Sequence, residues 1–212
     1  MVIVQNIYKS TKHIGKYEEQ IIKILTKHFL NSGYEVVPHS SLNIAWGSVL
    51  SDVDLLLLKD QSLTYVEVKS SRDNISRAKH QIERIMDYVD YAYVATDKHV
   101  TDFEMDKAGL IIIQEETVHV LKKAKKFSNK PRFYSVVTLK KKCLSRFFGT
   151  DNRHLRLVSK YELAQHVYEK NGYMCTRNVL KEIVTCGDLC SSCCPIEQQK
   201  ENKSLLKVSN AY

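Results

Sequence analysis

Glycine and proline are scarce, seven and three in 212 residues, which excludes collagen-like and Pro/Gly-rich low-complexity architectures. No apolar run approaches the roughly 18 to 20 residues that a membrane-crossing helix needs, and residues 1–16 hold no signal-peptide apolar block. The expectation is therefore a soluble, intracellular (cytoplasmic) protein with no membrane partner. There is no internal repeat and no Gly-rich phosphate loop. Cysteine is absent before Cys143, and acid is absent from Thr117 to Thr150.

What is present describes an ordinary globular chain, with 43% hydrophobic and 26% charged residues. The length suffices for one full core, and the expected division is a core domain with a small appendage. The net charge of +8 is uneven. The acid-free stretch carries Lys122, Lys123, Lys125, Lys126, Lys130, Arg132, Lys140, Lys141, Lys142 and Arg146, interleaved with Phe127, Phe133, Tyr134, Phe147 and Phe148. Charges of one sign among aromatic rings suit a polyanion, with phosphates on the cations and bases on the rings, although a solvated basic linker has the same composition. Lys122, Lys123, Lys125, Lys126 and Lys140 to Lys142 are the candidate nucleic-acid contacts.

Along the chain, Ile21, Ile22, Leu25 and Phe29 predict a helix over 16–31, closed by Ser32-Gly33. Glu18 falls on the same stripe, and a carboxylate there calls for a cation or metal beside it, unless it serves only the helix dipole. Alternation predicts strands over 34–39, 53–59 and 64–69, the last two joined as a hairpin through 60–63. A helix is expected over 75–89, a strand over 91–96, a short helix over 101–108, and strands over 109–114 and 118–121. A weak strand pattern covers 133–139, and helices are expected over 159–169 and 176–184. Strands alternating with helices make an α/β domain with a central mixed sheet.

The hairpin concentrates the chemistry. Val53, Leu55 and Leu57 lie on one face of the first strand, with Asp52, Asp54, Leu56 and Leu58 on the other, and Glu67 and Lys69 share one face of the second. Asp54 and Glu67 can bind a hard divalent ion through oxygen, the Val68 carbonyl can join them, and Lys69 can orient water and steady charge on a phosphoryl group. Few, hard ligands favour Mg²⁺. Glu18 would complete the site from the first helix.

The order Glu18, Asp54, Glu67-Val68-Lys69, then a helix with Gln81, resembles the PD-(D/E)xK nuclease superfamily over residues 14–121, nearest in style to the archaeal and viral group that includes resolvases and CRISPR-adaptation nucleases. The resemblance implies a restriction-endonuclease-like core, Mg²⁺ or Mn²⁺ and hydrolysis of DNA phosphodiesters. It makes Asp54, Glu67 and Lys69 catalytic, Glu18 auxiliary, and Gln81 an orienting residue. Two departures stand out: Val53 precedes Asp54 where proline is common, and Ile85 follows Gln81 where a tyrosine often stands, with Tyr88 nearby.

Cys186, Cys190 and Cys193, with Cys175 or Cys194 as a fourth thiolate, suit zinc or an iron-sulfur cluster, and spacing does not separate these. The superfamily contains members clipped by a 4Fe-4S cluster with one ligand ahead of the core, a position empty of cysteine here. The expected plan is a nuclease core over 1–125, a basic linker or extension over 126–150, a cysteine-rich helical module over 151–196 and a polar tail over 197–212. The expected function is DNA hydrolysis on single-stranded or branched substrates in repair, recombination or mobile-element processing. The alternative is a metal-containing DNA-binding or regulatory protein on the same fold that does not cut. The partners expected are DNA and, as an option that the sequence permits, further copies of the chain in a homo-oligomer.

Overall fold

In the computed structural model, which describes residues 15–40, 53–60, 62–100, 102–138, 141, 144 and 157–170, the first helical stripe does what its spacing demands. Ile21, Ile22, Leu25 and Phe29 are all buried along α1 (Lys16–Asn31). Gly33, at φ +77°, ends it. Gly33 N–H donates to the Leu30 carbonyl and Tyr34 N–H to that of Phe29, both at 3.0 Å, and the Phe29 and Tyr34 rings meet edge to face at 5.3 Å. This is the left-handed cap that glycine permits, with its apolar clasp.

Six strands follow in one sheet: β1 (Glu35–Ser40), β2 (Val53–Lys59), β3 (Ser62–Lys69), β4 (Tyr91–Thr96), β5 (Gly109–Gln114) and β6 (Thr117–Lys122). Spatial order equals chain order. The β3–β4 and β4–β5 pairs are parallel and the others antiparallel. Helix α2 (Ser76–Ile85) makes the crossover from β3 to β4. Pro38 is tolerated because β1 is an edge strand.

Side-chain alternation separates two cores. Leu55, Leu57, Val66, Val68, Ala95, Ile111 and Ile113 pack under α1. On the opposite face Leu56, Leu63, Tyr65, Val94, Leu110 and Ile112 meet Ala78, Ile82 and Ile85 of α2. The same cluster takes in Phe127, Val136 of α3 (Phe133–Val137), Leu144, and Leu163, Ala164 and Val167 of α4 (Lys160–Lys170). So the described parts of the expected linker, and the first helix of the expected C-terminal module, cover a face of the sheet. Ser159 and Glu162 begin α4 with reciprocal side-chain to backbone bonds, a capping box.

Several expected elements differ. The helix expected over 75–89 stops at Ile85, because the chain must turn to satisfy two buried acids. Asp87 accepts from Arg132 Nε and Ser135 Oγ, each at 2.6 Å, and Asp90 accepts from Leu63 N–H at 2.9 Å. Residues 102–105 are not helical, since Phe103 and Met105, two apart, both lean on the core. The weak strand over 133–139 is instead α3, which buries Ser135 and Val136 and exposes Tyr134. The hairpin turn is tighter than expected, with Lys59 already opposite Ser62. The helix expected over 176–184, the cysteines and Asp52 lie outside the described residues. Among the described residues, no helix is long and apolar enough to cross a membrane.

One glycine is required by close approach. A Cβ at Gly109 would strike the Tyr93 ring and stand 2.7 Å from the Lys122 carbonyl oxygen, which the β5–β6 ladder fixes. Gly109→Ala is expected to cost about 1–3 kcal/mol, as overpacking does, read as a lower urea midpoint at unchanged slope.

Candidate active site

The β2–β3 pairing runs from Lys59 opposite Ser62 to Leu55 opposite Val66. Beyond that pair the alternation expected of β2 breaks: Val53 packs with Leu56 in the α2-side core, not with Leu55 and Leu57, and Asp54 sits at the break, next to the strand residues that lead to Glu67 and Val68. There the ladder gives way to a side chain: Asp54 Oδ2 accepts the Val68 N–H at 2.8 Å. Because a strand residue directs its N–H and C=O to the same neighbour, the Val68 carbonyl also faces the Asp54 side. Asp54 is 4% exposed and Glu67 0%.

Glu67 is held from both sides along its own strand. Tyr65 donates its hydroxyl to Oε2, and the Lys69 ammonium pairs with Oε1. Tyr65, Glu67 and Lys69 alternate on one face of β3, so the contacts follow from the two-residue period. The sequence reading gave Tyr65 no role. Its signal was there, a hydroxyl two residues from a buried acid. Beyond the strand, Asp73 accepts from Ser70 N–H at 2.8 Å and from Ser70 Oγ at 2.6 Å.

The Ser70 hydroxyl, then its N–H, hold the Asp73 carboxyl below the ordinary 3.8 against the opposing effect of burial, and the charges of Lys69 and Arg77 add to this. A lowered carboxyl contributes stability above the ordinary value, and that contribution disappears as pH falls through the folded value. Ser70→Ala is therefore expected to be less stable than wild type at neutral pH, with the difference narrowing below about pH 4. Urea midpoints across pH measure it.

Glu18 arrives at the same end of the sheet from the other face. At one end of α1 Lys59 Nζ donates to the Ser32 carbonyl at 2.8 Å, and at the other Arg72 donates to the Tyr17 hydroxyl at 3.0 Å and stacks on its ring at 4.3 Å. The first turn of α1 therefore stands where β3 ends, and half-buried Glu18 sits beside Tyr17. The buried stripe of α1 packs on Val66 and Val68, on the sheet face opposite the Tyr65 side of β3.

Other expected residues are placed differently. Gln81 is half-buried on α2, and its side chain makes no hydrogen bond among the described residues. Tyr88 is buried, with its hydroxyl on Thr138 and the Ser135 carbonyl, so it ties α3 to the end of α2. Lys122 is level with Glu67 through Leu110 and Val94 but three strands away, about 14 Å at ordinary strand spacing. Its ammonium donates to the Met105 carbonyl. The chain then runs away from the site, with Lys125 paired to Asp106 at 2.7 Å and Phe127 N–H on the Asp90 carbonyl beside Leu63. Lys123 and Lys126 are exposed on this departing segment, and Lys141 lies within electrostatic reach of Glu162 on α4. The structure thus does not bring these lysines to Asp54, Glu67 and Lys69. Lys140, Lys142, Cys175, Cys186, Cys190, Cys193 and Cys194 lie outside the described residues.

Among the described residues, no group of three or more His, Cys, Asp and Glu side chains is placed to hold a metal ion. Two adjacent carboxylates and a backbone carbonyl are nonetheless an all-oxygen set, and Mg²⁺ ordinarily takes one or two carboxylates and completes its shell with water and phosphate oxygens. Asp54, Glu67 and Val68 fit that group.

No family model and no curated protein matches the chain. Among solved structures, a protein of unknown function from Silicibacter pomeroyi is similar, 18% identical over 53% of this chain and 74% of that one, with a TM-score of 0.44.

Proposed function

We propose that the chain is a divalent-metal-dependent phosphodiesterase acting on DNA, with a restriction-endonuclease-like core of the PD-(D/E)xK kind. The observation that carries this is the convergence at one end of the sheet of buried Asp54, which accepts the Val68 N–H, with buried Glu67 and its partner Lys69. Buried carboxylates beside a backbone carbonyl at a strand end are the oxygen donors that a hard divalent cation takes. Asp54, Glu67 and the Val68 carbonyl would hold Mg²⁺ or Mn²⁺, which supplies an activated water and neutralises charge at the phosphoryl oxygens.

The protein's own groups do the rest. Val68 N–H fixes the Asp54 carboxylate, and Tyr65 fixes that of Glu67. Lys69, at the strand end and 13% exposed, steadies negative charge as the water oxygen bonds to phosphorus and the ester P–O bond breaks. The attacking water releases a proton to solvent and the leaving oxygen takes one from solvent, departing as an alcohol. The cysteines from Cys175 to Cys194 are proposed as a separate zinc or iron-sulfur site; brown protein after anaerobic purification supports the cluster, and colourless protein retaining zinc supports the other.

Single-stranded, branched and duplex DNA incubated with the full chain in Mg²⁺ or in EDTA provides the test. Cleavage in Mg²⁺ alone is the expected result. Tight DNA binding without cleavage in Mg²⁺ or Mn²⁺ would replace this reading with the non-cutting DNA-binding one.

A further inference from the structure

A cleft of about 420 Å³ opens between the first turn of α2 and the segment leaving β4. It is on the same face and at the same end of the sheet as Lys69. Lys69 is opposite Thr96, the Thr96 hydroxyl accepts the Lys98 N–H at 3.1 Å, and Lys98 lines the cleft. Clefts at the carboxyl ends of parallel strands, where a crossover leaves, are where α/β sheets take ligands.

We propose that this cleft binds one nucleotide of a nucleic-acid strand, adjoining the phosphodiester held at Asp54, Glu67 and Lys69; the neighbouring phosphodiester rests on the reading above, the nucleotide chemistry on the cleft itself. Val100, Phe103 and Met105 give it an apolar wall packed on the core, suited to the flat face of a base. Exposed Lys79 and Lys98 come from opposite sides, suited to a phosphate. Asp102 and Glu104 also line it, so its formal charge is balanced, which favours a ligand carrying amino donors as well as phosphate over a bare anion. The start of α2 is not the anion site. Ser76 N–H is taken by Asn74 Oδ1, Arg77 N–H by the Asn74 carbonyl and Ala78 N–H by that of Ile75. The volume falls within the range of about 300–1,000 Å³ typical of small-ligand sites.

The test uses the full chain carrying Asp54→Asn, in EDTA so that nothing is cut, and a fluorescein-labelled single-stranded oligonucleotide read by anisotropy. Adding Lys79→Ala and Lys98→Ala, both at exposed positions, is expected to weaken binding about tenfold or more and to flatten the salt dependence by about one to two ionic contacts. Deoxyadenosine monophosphate should compete well before inorganic phosphate does. Overturning results are oligonucleotide binding unchanged within about twofold in the double-lysine variant, binding lost instead with Lys123→Ala and Lys126→Ala, or phosphate competing as well as the mononucleotide. A chain that never cuts in Mg²⁺ but whose binding needs Lys79 and Lys98 sinks the nuclease reading and upholds the cleft. A chain that cuts but binds independently of those lysines does the reverse.

Discussion

Asp54→Asn is expected to slow Mg²⁺-dependent DNA cleavage by about a thousandfold or more, the rate equivalent of about 4 kcal/mol, while the chain stays folded. Asparagine keeps an oxygen that can accept the Val68 N–H, which Asp54 now accepts at 2.8 Å, so the splayed end of the β2–β3 hairpin retains its bond. What it removes is the charge, and with it half of the carboxylate pair. Single-turnover cleavage of labelled DNA measures the effect, with thermal unfolding as the control. A loss under about tenfold with the fold intact would take Asp54 out of the chemistry.

Lys69→Ala is expected to have the largest effect on stability. Its ammonium is the partner of Glu67, whose side chain is 1% exposed, and truncating one side of a buried ion pair leaves an uncompensated charge, at a cost of about 3–5 kcal/mol. Tyr65 still donates to the other oxygen, which holds the loss within that range. Two consequences separate a metal site from a merely structural pair. Adding Glu67→Gln to Lys69→Ala should recover much of the loss, because the stranded charge is gone. Saturating Mn²⁺ should stabilise Lys69→Ala more than wild type, since anything bound only by the folded state stabilises it and the cation would replace the missing ammonium. Urea unfolding in EDTA and in Mn²⁺ reads both. Equal shifts in the two proteins would mean that Glu67 does not meet the cation.

The sheet and α1 were legible in the sequence because period did the work. Ile21, Ile22, Leu25 and Phe29 lie on one helical side, and Val66 and Val68 alternate with Tyr65 and Glu67 in a way only a strand buried on both faces allows. The stretch from Phe133 to Val137 was misread because a single turn of helix and a short strand bury similar residues. What decides between them is Asp87, distant in sequence, which takes Arg132 and Ser135. The same distant acid shortened α2.

At the site, Asp54, Glu67 and Lys69 were legible as types at a spacing; the shared face of Glu67 and Lys69 follows from strand period, whereas Val53 leaves the face of Leu55 and Leu57 just where Asp54 bonds to Val68 N–H. Their partners were less so. Tyr65 is a local contact that alternation could have flagged. The placement of the lysines was beyond composition: a basic block draws attention wherever it lies, and only the antiparallel turn of β6 shows Lys123 and Lys126 leaving the end of the sheet where Lys69 stands. Exposed Lys79 and Lys98 lie outside that block yet line the cleft at that end.

The most direct measurement is a crystal structure of the chain grown with Mn²⁺, read by anomalous scattering. The expected result is a peak bonded to the carboxylates of both Asp54 and Glu67, absent from Asp54→Asn crystals. Mn²⁺ bound elsewhere, with Glu67 still closed onto Lys69 and Tyr65 at saturating metal, would contradict it.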